Sequence, residues 1–438
     1  MKNTRLLSLG VLLSAGSLLT SCSSDDGASD DSPAGSTWML TVKANKGGTA
    51  LARQSSIDTR ALTLSGNTLN ATWNTSEHVY VRYNNEWHGA LQPNSNTSST
   101  ILTGSLTDFA VLPSVNFSLE LLFPRKSLIT YEGQQGTLAD IAANFDWATA
   151  TAEITNIDNN AKILNGGPVT FQNQQAIVKF TLKNGENTLP VKSLRVSATN
   201  LKINESYYGD VTITPTDATS ELYAALSGIN NSQVTLTATT SDDKVFIYKR
   251  QNATFANSKY YEITSVKMRE VTYPVALSAV TDDYIGSVVG ANGEVYPSRS
   301  AAEAAQTTAV AMVAYVSGTG NGLAISLANE SEDMNQTTAT SNWKSKTAVT
   351  GGTWRLPTNN DWYNMIYGCG AKEAVNNIVN YTCFKSKLYT AAGTDMSGRY
   401  WCSDGTYCLE FSLYGHELNL NNTMDSGTLC HVRYCLAF

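Results

Sequence analysis

The side chains best suited to covalent chemistry here are seven cysteines, and they are unevenly placed. Six of them, Cys369, Cys383, Cys402, Cys408, Cys430 and Cys435, crowd towards the carboxyl end. An even number confined to one module of an exported chain predicts disulfides, with a pairing that spacing does not reveal. Zinc is the rival ligand, but no Cys-x2-Cys pair occurs and the spacings match no tetrahedral template. The seventh thiol, Cys22, closes an apolar run. Lys2 and Arg5 precede Leu6 to Leu19, and small residues Thr20 and Ser21 lead into the cysteine. A basic start, a short apolar stretch and small residues read as a secretory signal, too short for a stable membrane span. Other chemistry is sparse. There is no Gly-x-Ser-x-Gly, His-Glu-x-x-His or Gly-x4-Gly-Lys-Ser/Thr, and His78, His88, His416 and His431 are scattered. The acidic groups Asp282-Asp283 and Glu330-Ser331-Glu332-Asp333 read as loop charges rather than metal ligands. No catalytic residue, metal or cofactor is expected, and the chain reads as a non-enzyme.

Leu19-Thr20-Ser21-Cys22 resembles the bacterial lipobox, in which the thiol is acylated and becomes the first residue of a membrane-tethered protein. Three acyl chains on one cysteine insert enough methylenes for durable anchoring. The stretch from Ser23 to Pro33 is acidic and nearly without apolar residues, so it reads as a flexible tether. Its aspartates directly after the cysteine resemble the export signal for the outer face of an outer membrane. A net charge of −7 leaves no basic stripe for a nucleic acid.

The rest of the chain must position any site. Only 15% of its 438 residues are charged, and Thr, Ser and Asn are abundant, which favours β-sandwiches over helical bundles. Trp38 to Lys43 alternates and stops at Gly47-Gly48; His78 to Tyr83 alternates and stops at Asn84-Asn85. Ala176, Val178, Phe180 and Leu182 line one strand face, and Asn184-Gly185 predicts a hairpin turn. Leu194 to Ala198 and Val234 to Ala238 repeat the pattern, while Thr137 to Asp146 predicts a helical turn. The Gly166-Gly167-Pro168 stretch predicts a domain boundary. The last third mixes helices with short strands: a capping box at Ser300 to Glu303, a helix start at Thr358 to Asp361, and a helix from Ala371 to Tyr381. The expected layout is a signal at 1–21, a linker at 22–36, β-sandwiches at 37–165 and 166–272, and an α+β module at 273–438.

Several stretches resemble the fimbrillin family, the pilins of surface fimbriae in Gram-negative anaerobes. They are Asp58 to Leu62, Val79 to Tyr83, Gly136 to Asp140, Gln174 to Phe180 and Lys259 to Ile263. Gly352 to Thr358, Asp361-Trp362, Arg399 to Ser403 and Val432 to Phe438 resemble the C-type-lectin-like module appended to some tip or accessory fimbrillins. The resemblance implies two tandem transthyretin-like β-sandwiches followed by an adhesive module. It implies that a protease removes the first strand, Thr37 to Val42, by cutting after Arg60, with Arg53 and Lys46 as alternatives. A neighbouring subunit's strand then fills the gap. Partners would be other fimbrillin subunits, a host or bacterial surface glycan or protein, and a membrane through the precursor's lipid. The place would be the outer membrane, cell surface and fimbrium. The sequence lacks the Glu-Pro-Asn, Gln-Pro-Asp and Trp-Asn-Asp signatures of calcium-dependent lectins. Trp343 and Trp401, set among polar residues, are the aromatic candidates for ligand stacking, whereas Trp354 and Trp362 read as core. The rival reading is a static, glycan-binding surface lipoprotein that never polymerises.

Overall fold

The computed structural model describes residues 36–47, 62–65, 68–109, 117–124, 130–204, 209–371, 378–404, 407–411, 417–425 and 427–438. The leader, the linker, Cys22, Arg53, Arg60 and His416 lie outside them. The protein is mainly β, with three large sheets following one another along the chain.

The first unit holds β1 (Ser36–Asn45), β2 (Val79–Tyr83), β3 (Glu86–Pro93), β4 (Ser99–Phe109), β5 (Ser118–Phe123), β6 (Ala148–Asp158) and β7 (Ile163–Thr170). Its strands pair in the order β6-β5-β2-β3-β4-β1-β7, and β7 pairs again with β6. The sheet therefore closes on itself, which leaves its ring strands without a free edge. Inward residues of every strand meet in one core around Trp73, Leu40, Val81, Leu102, Leu121 and Leu164.

The second unit holds β8 (Ala176–Asn184), β9 (Ser193–Ala198), β10 (Val211–Ile213), β11 (Glu221–Leu226), β12 (Ser232–Thr239), β13 (Val245–Ala253) and β14 (Tyr260–Val271). It repeats the first unit strand for strand. As β1 runs parallel to the last strand β7 and antiparallel to β4, so β8 runs parallel to β14 and antiparallel to β11. The pairings β2–β3, β2–β5, β5–β6 and β6–β7 recur as β9–β10, β9–β12, β12–β13 and β13–β14. The β3–β4 pairing does not recur as a ladder between β10 and β11. A segment of the first unit fills that space. Gln134 bridges to Ile213 on β10, its side chain donates to the Ala225 carbonyl at 2.9 Å, and it accepts from the Ala225 amide at 2.7 Å on β11. Tyr131 before it and Ile141 and Phe145 after it also enter the second core.

The third unit builds a sheet in the order Val275–Ala276, Glu294–Tyr296, Val288–Gly290, Ala309–Gly318, Asn321–Ser326, Cys435–Ala437, Thr353–Arg355. The helix Asn359–Gly368 packs Trp362, Met365 and Ile366 into a core with Met312, Ile325, Tyr400 and Phe411. A smaller sheet joins Ile378–Asn380, Glu417–Thr423, Tyr407–Phe411 and Gly398–Trp401.

Three expectations are corrected here. Gly166-Gly167-Pro168 is not a linker but the middle of β7, and the change of sheet falls between Asn173, which still pairs with Ala148, and Ala176. The cap of the Ala-rich helix is Ser298, whose hydroxyl accepts from the Ala301 amide, so the helix spans Arg299–Ala304. Ala371 to Tyr381 is not one helix: Ile378–Asn380 is a strand, and the helix is Thr382–Thr390. The helix start at Thr358 to Asp361 is present as read, and the structure shows it closed by a capping box.

Candidate functional site

The candidate site lies in the first unit, around β1, a strand paired on both sides. Alternation along β1 turns Trp38, Leu40, Val42 and Ala44 inward, all buried, and leaves Thr37, Met39, Lys43 and Asn45 exposed. Burial of Leu40 and Val42 is worth about 1.5–3 kcal/mol each. The strand is bonded on both sides: Trp38 to Asn45 pair with Leu106 to Ser99 on β4, and Met39 to Asn45 pair with Ile163 to Thr170 on β7. Val42 sits against Gly166, where an added Cβ would lie only 2.7 Å from Val42 Cγ2. That glycine is present to leave room for the β1 side chain. Removing β1 would open a slot between β4 and β7, with two rows of unpaired backbone groups and a row of apolar pockets. Such a slot receives an extended strand through main-chain bonds, with alternate side chains filling pockets.

The inward row does not end with Ala44. Lys46, next in the same phase, is buried, and its ammonium reaches both carboxylate oxygens of Glu77 at 2.6 and 2.7 Å. It also donates to the Thr72 carbonyl at 2.8 Å and lies 4.9 Å from the Trp73 ring and 4.5 Å from the Phe123 ring. Glu77 accepts in addition from the Asn74 amide at 3.0 Å. This box escaped the sequence reading, which ended the alternation at Lys43. Carrying the parity three residues further would have exposed a cation on the core-facing side. The burial also argues against Lys46 as a protease site, since its side chain and backbone are tied into the barrel wall.

The remaining candidates are distributed elsewhere. Cys22 and Arg60 fall outside the described residues. The expected disulfides are not formed: Cys369, Cys383, Cys402, Cys408, Cys430 and Cys435 are all free and buried. Burial pushes the thiols of Cys369, Cys383 and Cys435 up to about 12, so they are poor nucleophiles at neutral pH. Cys408 and Cys430 hydrogen-bond through their side chains, and that bond, followed by burial, raises the Cys408 thiol further. Trp401, a proposed stacking residue, is fully buried with its indole N–H on the Met334 carbonyl at 2.7 Å, so it offers no face to a ligand. Trp343 is half-buried against the core of the third unit. His78 bonds Gln92 and His88 bonds the Thr107 carbonyl, which leaves them on separate partners.

Of the acidic residues read as loop charges, Asp282, Asp283 and Glu330 are ion-paired and Asp333 contacts a histidine. Asp283 meets Lys249 at 2.8 Å and also Arg269; burial pushes its carboxyl up, but these hydrogen bonds outweigh that and hold it below the usual range. Glu330 meets Lys346 at 2.8 Å, and Asp333 meets His431. Among the described residues no group of three or more His, Cys, Asp or Glu could hold a metal ion. A cavity of about 240 Å³ between the second and third units is lined by Arg195, Asp210, Lys249, Asp283 and Lys387, and each of these charges has a partner. The buried Lys387–Asp210 pair, at 2.6 Å, pins the third unit to the second.

Comparison with known proteins yields little at the sequence level: no protein-family model and no curated protein matches the chain. Solved structures overlap with part of it. A fimbrial assembly protein from Parabacteroides distasonis is 11% identical, with 55% of this chain and 100% of that chain covered and a TM-score of 0.29. A candidate cell adhesion protein from Bacteroides ovatus is 12% identical, with 54% and 97% covered and a TM-score of 0.29. One from Bacteroides uniformis is likewise 12% identical, with 54% and 99% covered and a TM-score of 0.30. Overlaps this loose carry no argument about the role of the chain. Among the described residues no helix is long and apolar enough to cross a membrane.

Proposed function

We propose that this chain is the precursor of a surface fibre subunit, tethered through acylated Cys22 to an outer membrane and matured by cleavage after Arg60. Cutting there frees β1, and a strand from a neighbouring subunit takes its place between β4 and β7. The observation that supports this reading is the position of β1. It is the first strand of a closed ring, bonded on both sides, and joined onward through the segment that contains Arg53 and Arg60. The third unit is read as the outward, adhesive end. Its strand Cys435–Ala437 is held between Asn321–Ser326 and Thr353–Arg355, so it is not available for donation without opening that sheet. A subunit that accepts a strand but does not offer this one suits the tip of a fibre.

Treatment of surface-displayed precursor with an arginine-specific protease tests the reading. The subunit is expected to enter ladders with other subunits that resist SDS without boiling. A product that stays monomeric after complete cleavage would favour the static glycan-binding lipoprotein instead.

A further inference from the structure

We infer that the strand replacing β1 must carry a basic residue, lysine or arginine, at the inward position now held by Lys46. The inference rests on the strand-replacement reading above and specifies the partner's chemistry. A cut after Arg60 removes Lys46 together with β1, because both lie on the amino-terminal side of it. Glu77 stays behind, 5% exposed, with the Asn74 amide as a remaining donor. A buried carboxylate deprived of its counter-charge is strongly unfavourable. Nor is the space suited to an apolar replacement. The Trp73 and Phe123 rings present faces to the ammonium, and the Thr72 carbonyl accepts from it, so three separate groups besides Glu77 favour a cation.

An apolar alternation is therefore necessary for a donor strand but not sufficient. The slot reads a large residue at the Trp38 position, branched aliphatics at Leu40 and Val42, a small residue at Ala44 and then a positive charge. The size gradient is set by the surrounding wall, with Gly166 beneath Val42. The charge gives this unit a means to reject strands that match in hydrophobicity alone, since a mispaired charge discriminates more sharply than a missing methylene.

The test uses the full chain with a site-specific protease sequence placed between residues 48 and 60. After cutting, fluorescein-labelled peptides of residues 36–47 are added in excess, and their retention is followed by gel filtration and anisotropy. The native peptide and its Lys46→Arg form are expected to exchange in, Lys46→Met to bind at least ~10-fold more weakly, and Lys46→Glu not to be retained. In a Glu77→Gln chain the preference for lysine over methionine should collapse. Equal retention of all peptides by the unmutated chain would overturn the charge requirement while leaving strand replacement intact. If no peptide, native included, ever displaces the resident strand, strand replacement itself fails and the requirement with it. The peptide series on the unmutated chain decides the matter even if the Glu77→Gln chain does not fold.

Discussion

The two β-units share one topology but differ in how their first strand is held. In both, that strand lies between the last strand, which runs parallel to it, and a middle strand running antiparallel. Both contain a register shift near the same point, between Val42 and Ala44 in β1 and between Phe180 and Leu182 in β8. Aligning those shifts sets Lys46 of the first unit against Asn184 of the second. There the two diverge. Asn184-Gly185 turns the chain straight back, with Gly185 at a positive φ of 61°, so β8 is continuous with the next pairing, Lys183 with Thr188. After Lys46 the chain instead enters the arginine-bearing segment at 48–61. The first unit closes its ring with its own strands, whereas the second completes itself with Gln134 from the first. A first strand can be surrendered only where a connection can be cut and the wall can be closed by something equivalent. The proposed strand replacement draws on both conditions in the first unit and on neither in the second.

Single substitutions sharpen that contrast. Lys46→Met should cost the first unit about 3–5 kcal/mol by stranding Glu77, while Asn184→Ala should change the second by no more than ~0.5 kcal/mol. Hydrogen exchange resolved by unit checks this, with faster exchange expected in the first unit alone. Pairing Lys46→Met with Glu77→Leu should recover most of the loss, since no charge is then left unpaired. Gln134→Leu should weaken the second unit by about 2–4 kcal/mol, because the Ala225 amide and carbonyl both lose their partner. Its signature is accelerated exchange at Ala225 with β1 unaffected. Gly166→Ala should cost about 1–3 kcal/mol through its collision with Val42, and Val42→Ala in the same chain should relieve part of it. A double-mutant cycle in urea measures that coupling.

The smallest effect is a pH dependence that involves the third unit and its ion pairs to the second. Burial pushes the Asp361 carboxyl up, but hydrogen bonds from Arg355 and Thr358 prevail and hold it low, as Lys249 and Arg269 do for Asp283. A carboxyl with a depressed folded pKa stabilises the fold above its unfolded value, here 3.8, and that contribution is lost as pH falls through the folded value. Thermal unfolding of the third unit should therefore be steady near neutrality and decline below about pH 4. Stability that rises on acidification in that range would contradict the assignment of these pairs.

Much of the strand content was legible because one face of each strand is buried, so period-two alternation survives in the sequence. His78 to Tyr83 matches the strand β2 except for His78, which precedes it, and Trp38 to Lys43, Leu194 to Ala198 and Val234 to Ala238 all lie inside observed strands. The errors have specific causes. Gly166-Gly167-Pro168 looks like a breaker, yet it lies in β7, where the glycine makes space for a side chain from another strand. Such long-range crowding leaves no local trace. Trp401 stands among polar neighbours in sequence but faces inward, because its own strand lies over the core of the third unit. Lys46 is the opposite case: it falls on the inward parity of β1, three residues beyond Lys43, although lysine is ordinarily exterior. The arrangement of six free thiols depends on three-dimensional proximity, which spacing alone does not encode.

The most direct test is the intact mass and terminal sequence of the subunit recovered from assembled surface fibres. The account predicts a chain that begins at Ala61 and holds no covalent trace of β1 or the lipid, with a foreign strand bound in its first unit. Recovery of fibres in which Trp38 to Lys46 is still covalently joined to Ala61 would contradict it.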